Sequence, residues 1–283
     1  MATKIPYPQK RLGQVFLRDS LVVEQILQCA DLAPTDTVLE IGPGRGILTT
    51  ALAPRVAALY ALEIDVRYVQ ALTQHFATTP HVHILWADAR SYDYGLLPQP
   101  FVVVANLPYS VGMAIVHHLL SFHPQVLRLI IMLQKEVVDR LLAPPDSSAY
   151  GALSVFVQYA AQLTHQFEVS RQAFSPVPAV DSTVISMVPF AVSPWPACDP
   201  AWLFRVVKHA FAHRRKTLRA NLLAAFPTAL TRSQVTEVLT TLTLTEHARA
   251  QELTVLQFVH LSQVLRQRLQ TTTTPDPLGA ETS

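Results

Sequence analysis

The segment Thr37-Val38-Leu39-Glu40-Ile41-Gly42-Pro43-Gly44-Arg45-Gly46 is the strongest architectural signal in the chain. Its first half, apolar and partly β-branched around one acid, reads as a buried strand. Its second half is a glycine turn, and a helix is expected from about Ile47. A strand that passes through glycines into a helix is the first step of an open parallel sheet. It lets a ligand approach bare backbone near a helix N-terminus. The spacing is G-x-G-x-G and not G-x-G-x-x-G, which weakens a dinucleotide reading. Glu40 agrees, because its charge repels a pyrophosphate and suits a ligand carrying a cation or an amine. A merely tight structural turn is the alternative at this point.

Downstream the same alternation continues. Residues 57–64 read as a second strand, and Glu63 at its end lies about twenty residues past the glycines, where an acid can hold ribose hydroxyls. His83-Ile84-Leu85-Trp86 reads as a third strand, followed by Asp88-Ala89. Asp88 can accept from an adenine amino group, or cap a turn. Phe101-Val102-Val103-Val104-Ala105 is a buried strand that stops at Asn106-Leu107-Pro108-Tyr109. That places an amide, a ring-fixed backbone and an aromatic face at a strand's carboxyl end, the side of an open α/β sheet that binds ligands. An amide accepts a hydrogen bond from an amine without taking its proton, and a tyrosine can stack on a planar base.

Helix is expected over 111–122, strand over 126–133, helix over 134–141 and 150–161, and strand over 166–170. A stiff loop from Phe174 to Ser182, with Phe174 as an exposed aromatic, feeds a last strand over 183–188. These elements describe an α/β fold: a doubly wound, mostly parallel Rossmann-like sheet with an antiparallel edge strand. Upstream, residues 1–11 read as extended, and Asp19 or Ser20 can cap a helix over 21–30. Phe16-Leu17 before that cap is either a lid or a hydrophobic staple. Four prolines between 189 and 200 mark a linker, after which helices are expected over 202–223, 231–243 and 252–269. The domain reading is therefore 1–190, a small all-α domain over 191–270, and a polar, disordered tail over 271–283.

Composition narrows the function classes. Cys29 and Cys198 are far apart and lack neighbours at metal-ligand spacing, so neither a disulfide framework nor a metal site is expected. The first residues lack the apolar run of a secretion signal, and no stretch approaches a membrane span, so a cytoplasmic protein is expected. Residues 1–190 carry 12 Lys and Arg against 14 Asp and Glu, whereas residues 191–270 carry 10 against 4. A basic half beside a near-neutral one suits a polyanionic partner; an ordinary solvated face is the competing reading. Arg214, Arg215, Lys216 and Arg219 crowd the first C-terminal helix in this reading, with no acid between 205 and 219.

Taken in order, the segments resemble the ribosomal small-subunit rRNA adenine dimethyltransferases over roughly residues 10–270. The marks are Gly13-Gln14-x-Phe16-Leu17, Glu40-Ile41-Gly42-Pro43-Gly44-x-Gly46, Glu63-Ile64-Asp65, Asp88-Ala89 and Asn106-Leu107-Pro108-Tyr109. They continue with Met132-Leu133-Gln134-Lys135-Glu136-Val137, Tyr150-Gly151-x-Leu153-Ser154, Phe174-x-Pro176-x-Pro178-x-Val180-Asp181-Ser182 and Arg214-Arg215-Lys216-Thr217-Leu218. One position departs: the family usually has Asn or His where this chain has Val15, so a cofactor contact there falls to backbone.

The resemblance implies S-adenosylmethionine as cofactor and the rRNA of an immature small subunit as partner; no membrane, no metal and a monomer are expected. It implies cofactor contacts from Val15, Leu17, Glu40, Gly42, Gly44, Glu63, Asp88, Ala89 and Asn106. It further implies a target adenine flipped from its stack and held between Tyr109 and Phe174, its amine positioned by Asn106 and Leu107 beside Pro108. RNA contact falls to Arg214, Arg215, Lys216 and Arg219. Dimethylation of two adjacent adenines follows from the resemblance alone. The alternatives are a non-catalytic RNA-binding assembly factor and a methylase of another RNA, such as large-subunit rRNA.

Overall fold

A computed structural model of the chain describes residues 14–272. Gly13, the expected extended segment 1–11 and the tail beyond 272 lie outside the described residues. Contacts divide the chain into two compact units, one of residues up to Asp139 with Ala160–Ala191, the other of Arg140–Tyr159 with the residues from Val192 on. The sequence reading drew one boundary, after residue 190; the contacts also set Arg140–Tyr159 apart from the sheet. The cause is packing: Tyr150 and Val155 are wholly buried in the helical core, and the Tyr150 hydroxyl donates to the Leu253 carbonyl at 2.9 Å.

In the first unit, β1 (Phe16–Leu17) leads into α1 (Ser20–Ala30), whose N-terminus is capped by Asp19 accepting from the Leu21 N–H. Then follow β2 (Thr37–Ile41), α2 (Ile47–Leu52), β3 (Ala58–Glu63), α3 (Val66–His75), β4 (Val82–Trp86), β5 (Phe101–Asn106), α4 (Gly112–Leu120) and β6 (Val126–Gln134), which runs into α5 (Lys135–Leu142). After α6 (Ala152–Ala160) the sheet is completed by β7 (Ala161–Val169) and β9 (Ser182–Pro189), with the short β8 (Phe174–Ser175) between them. The strand order is β4-β3-β2-β5-β6-β9-β7, with β9 antiparallel to both of its neighbours and the other pairs parallel. The expected antiparallel edge is thus built of two strands. The chain winds outward from β2 through β3 to β4, then returns to place β5 on the other side of β2. Such a reversal opens a crevice at the carboxyl ends of the two central strands. Phe101–Ala105 are buried on both faces, as the unbroken apolar run of a central parallel strand requires.

Two expectations change. The strand expected over 166–170 begins at Ala161, because its first half is polar and a register shift between His165 and Phe167 interrupts the alternation. In the second unit, α7 (Pro200–Ala210), α8 (Leu218–Ala225), α9 (Arg232–Thr241) and α10 (Val255–Thr272) surround one core. The single helix expected over 202–223 is broken at 211–217. Buried Asn221 donates to the carbonyls of Ala210 at 2.7 Å and His213 at 3.1 Å, and Thr217 caps α8. Arg214, Arg215 and Lys216 therefore occupy the turn between α7 and α8 and do not share one helix with Arg219 as expected.

Candidate active site

The crevice is floored by the turn that leaves β2. Gly44 has φ of +52°, and a Cβ there would come within 2.6 Å of the Phe16 ring. Only glycine lets that ring lie against the turn. The Arg45 guanidinium stands 4.9 Å from the ring centroid on Phe16, and Tyr68 packs against Phe16 at 5.4 Å. Gln14 donates to the Asp65 carboxylate at 3.0 Å. Residues 14–17 are thereby fastened over the glycine turn, with Val15 and Leu17 lining the cavity beneath.

Two buried acids face that cavity, which has a volume of about 70 Å³. Glu63, at the end of β3, accepts from the N–H of Gly44 at 3.1 Å and of Asp65 at 2.8 Å, one on each carboxylate oxygen. Each oxygen keeps a lone pair for a further donor. Burial raises its pKa, and these two N–H groups oppose the rise. Glu40 is 1% exposed, and its Oε2 has no hydrogen-bond partner among the described residues. Burial pushes its carboxyl up to about 8, with the nearby Glu63 charge adding to the effect. Hydrogen bonding from Thr49 opposes the rise. A buried carboxylate oxygen without a partner is costly, and a bound cation or ammonium group removes that cost. Asp65 behaves in the opposite way: the Arg67 guanidinium, hydrogen-bonded at 2.6 Å, holds it down to about 2.

Across the cavity, β5 delivers Asn106, Leu107, Pro108 and Tyr109. The Asn106 amide donates from Nδ2 to the Val15 carbonyl at 3.5 Å, which leaves Oδ1 as its acceptor, without a protein donor among the described residues. The Leu107 N–H binds the Met132 carbonyl at 3.2 Å, and the next peptide carries Pro108, which has no N–H. The Asn106 amide and the half-buried Tyr109 ring thus line the same cavity. Tyr109 has its phenol pKa raised by burial and shares a 2.8 Å hydrogen bond with Ser182 Oγ.

A second cavity of about 240 Å³ shares Gln14, Gly42 and Pro108 with the first. Ile64, Asp88 and Ala89 line it. Asp88 acts as a turn cap, its Oδ1 accepting from the Arg90 N–H at 2.9 Å, and it also lines this cavity. Arg90, at 2.6 Å, holds the carboxylate below its ordinary range. Two neighbouring cavities with a common wall, one carrying two buried acids and one mostly apolar with Asp88 at its side, suit an amino-acid cation and a base linked by a ribose. S-adenosylmethionine has that form.

A family model described as ribosomal RNA adenine dimethylase matches residues 8–267. The chain belongs to this family. Its members are S-adenosylmethionine-dependent adenine dimethyltransferases. The small-subunit rRNA methyltransferase A of Laribacter hongkongensis is 42% identical over 217 residues, covering 76% of this chain and 82% of that protein. The protein of the same name from Rippkaea orientalis is 38% identical over 273 residues, covering 92% and 98%. Among solved structures, a dimethyladenosine transferase from Plasmodium falciparum superposes with a TM-score of 0.79 at 24% identity, covering 89% of this chain and 98% of its own, and shares the fold. The 23S rRNA methyltransferase ErmE superposes with a TM-score of 0.67 at 27% identity, covering 89% and 100%.

The dimethylase site departs from the sequence reading at three places. Phe174, expected to be exposed, is 0% exposed: it sits in the core beneath the sheet, backbone-paired with Leu17 through β8 and β1, and does not line the cavity. Arg214 donates to the carbonyls of Tyr150 at 2.8 Å and Ser148 at 2.9 Å, and Arg219 pairs with Glu246 at 2.5 Å. Only Arg215 and Lys216 of the basic four are exposed without a protein partner among the described residues. Gln14, Ile64 and Ser182 join the site although the sequence assigned them no role. All three lie inside quoted motifs, but their partners are distant in sequence. No group of His, Cys, Asp and Glu among the described residues could hold a metal, and none of their helices is long and apolar enough to cross a membrane.

Proposed function

We propose that the chain transfers methyl groups from S-adenosylmethionine to the exocyclic N6 of two adjacent adenines in the loop of the 3′-terminal hairpin of small-subunit (16S) rRNA, acting on the assembling small subunit. The observation that carries this reading is the meeting of Asn106-Leu107-Pro108-Tyr109 with Glu40, Glu63 and the glycine turn around one cavity. The small-subunit relatives favour this target. The likeness to ErmE supports large-subunit rRNA as a second reading. Incubating the protein with labelled cofactor and either unmethylated small subunits or large subunits separates the two. Dimethyladenosine recovered from the small subunit is expected; label confined to the large subunit would favour the second.

The cofactor supplies an electrophilic methyl on a sulfonium, displaced in line by the amine lone pair. Everything else falls to the chain. Glu63 would hold the ribose, Gly42 and Gly44 would let the amino-acid end lie on backbone, Asp88 and Ala89 would take the adenine end, and Val15 and Leu17 would close over it. The adenine amine is a poor nucleophile because its lone pair is delocalised into the ring. Asn106 Oδ1 and the Leu107 carbonyl accept its two N–H bonds, drawing the nitrogen toward tetrahedral geometry and aiming the lone pair at the methyl. Positioning and electrostatics suffice, since the methylated amine then loses its proton to water. Tyr109 supplies one stacking face.

Glu63→Ala should weaken cofactor binding at least tenfold while slowing the saturated reaction less, since a hydrogen bond to a charged group contributes ~1.5–3 kcal/mol. Calorimetry showing unchanged affinity would remove Glu63 from the ribose. For RNA, the turn bearing Arg215 and Lys216 is the proposed phosphate contact. Replacing both with Ala should lower affinity and flatten its salt dependence by roughly 0.7–0.9 in slope for each phosphate no longer neutralised, with cofactor affinity unmoved. A salt series with an unchanged slope would leave these cations in solvent.

A further inference from the structure

Ser182 is the first residue of β9 and is fully buried. Its register partners are Gln134 on β6 and Val169 on β7, so the sheet holds it from both sides. The preceding residue is tied as well: the Asp181 carbonyl accepts from the Lys135 N–H at 3.0 Å, and its Oδ1 accepts from the Arg171 N–H at 2.9 Å. From this fixed point Ser182 Oγ meets the Tyr109 phenol at 2.8 Å. Among the described residues it is the only hydrogen-bonding partner of that phenol.

We infer that Ser182 is a positioning residue for the target base: its hydroxyl pins the far end of the Tyr109 ring and so sets where the stacking face stands over the base site. The inference rests on the proposed role of Tyr109 as a stacking face. A tyrosine ring turns about two side-chain torsions; the phenol oxygen lies on the axis of the second, so a bond there restrains the first and fixes where the far end of the ring lies. Tyr109 lies three residues beyond Asn106, with Pro108 between them. Once its far end is pinned, the ring cannot swing away from Asn106, and the place of the stacking face beside that amide is held. Small displacements of such a face cost rate more than binding. The loop 174–182 thus contributes to the base site through its last residue, whereas its aromatic first residue is in the core.

The test uses Ser182→Ala, Tyr109→Phe, the double variant and Tyr109→Ala, assayed on unmethylated small subunits at saturating S-adenosylmethionine. Ser182→Ala and Tyr109→Phe should each lower kcat by about threefold to tenfold, the range of one neutral hydrogen bond. Cofactor KM should be unchanged in both. The double variant should be no slower than the slower single one, because both remove the same bond. Tyr109→Phe deletes one oxygen from a half-buried ring, so it decides the matter even where Ser182→Ala fails to fold. A normal kcat in Tyr109→Phe with an inactive Tyr109→Ala overturns the inference and leaves the stacking role standing. Additive losses in the double variant overturn it too. Full activity in Tyr109→Ala removes the stacking role itself, and the inference falls with it.

Discussion

Asn106→Ala is expected to bind S-adenosylmethionine with near-normal affinity and to lose on the order of a hundredfold or more in turnover, the usual cost of removing one preorganised polar group from a transition state. The amide is half-buried at the end of a strand whose preceding residues are almost wholly buried, so its position is set by the sheet. Its Nδ2 is directed at the Val15 carbonyl, which orients the amide and reserves Oδ1 for an incoming donor. The Val15 carbonyl thus meets the Asn106 amide, a contact within the chain and distinct from the backbone contact to the cofactor expected at that position. Removing the side chain takes away an interaction that strengthens as the amine pyramidalises, so the loss belongs in kcat and not in cofactor affinity. Calorimetry with the cofactor and initial rates at saturating cofactor and small subunits give the two halves of the measurement. Retained turnover would make Asn106 a structural residue and withdraw the mechanism.

What the sequence made legible was local. The run Thr37–Ile41 is apolar around Glu40 and is followed by a turn with three glycines, and β2, the turn and α2 match it in place. Asn106 and Glu63 were readable because each closes an apolar strand, and the carboxyl ends of parallel strands meet in one crevice whatever the loops do. What escaped was set by contacts across long stretches of chain. Tyr150 is drawn into the helical core by a carbonyl 103 residues away. Arg214 looked like a free cation, but its N–H groups are spent on carbonyls 64 and 66 residues upstream. The break before α8 had a local sign in Thr217, a good N-cap, but the uninterrupted basic run hid it. Ser182 and Tyr109 lie 73 residues apart, and no spacing pattern connects them.

The burial of Phe174 leads to the second large effect. Phe174→Ala is expected to cost about 3–5 kcal/mol of stability, the range for deleting a fully buried aromatic side chain. Its ring is 0% exposed in the cluster that includes Leu17, Val22, Ile26 and Val184, and its backbone pairs with Leu17. That pairing joins the segment over the cavity to the proline-rich loop, so a void under Leu17 loosens the strap as well as the core. The family resemblance gives Phe174 the second stacking face. From its position in the core the ring could present that face only if Leu17 lifted away. Phe174→Leu separates the two roles, because it refills most of the apolar volume while removing the flat face. Burial makes a definite expectation: Phe174→Leu recovers most of the stability lost in Phe174→Ala, and its kcat on small subunits is close to normal. Thermal unfolding of both variants, with kcat corrected for the folded fraction, is the measurement. A Phe174→Leu protein of normal stability whose kcat has dropped tenfold would put the ring against the base and show that the β1–β8 pair opens during each turnover.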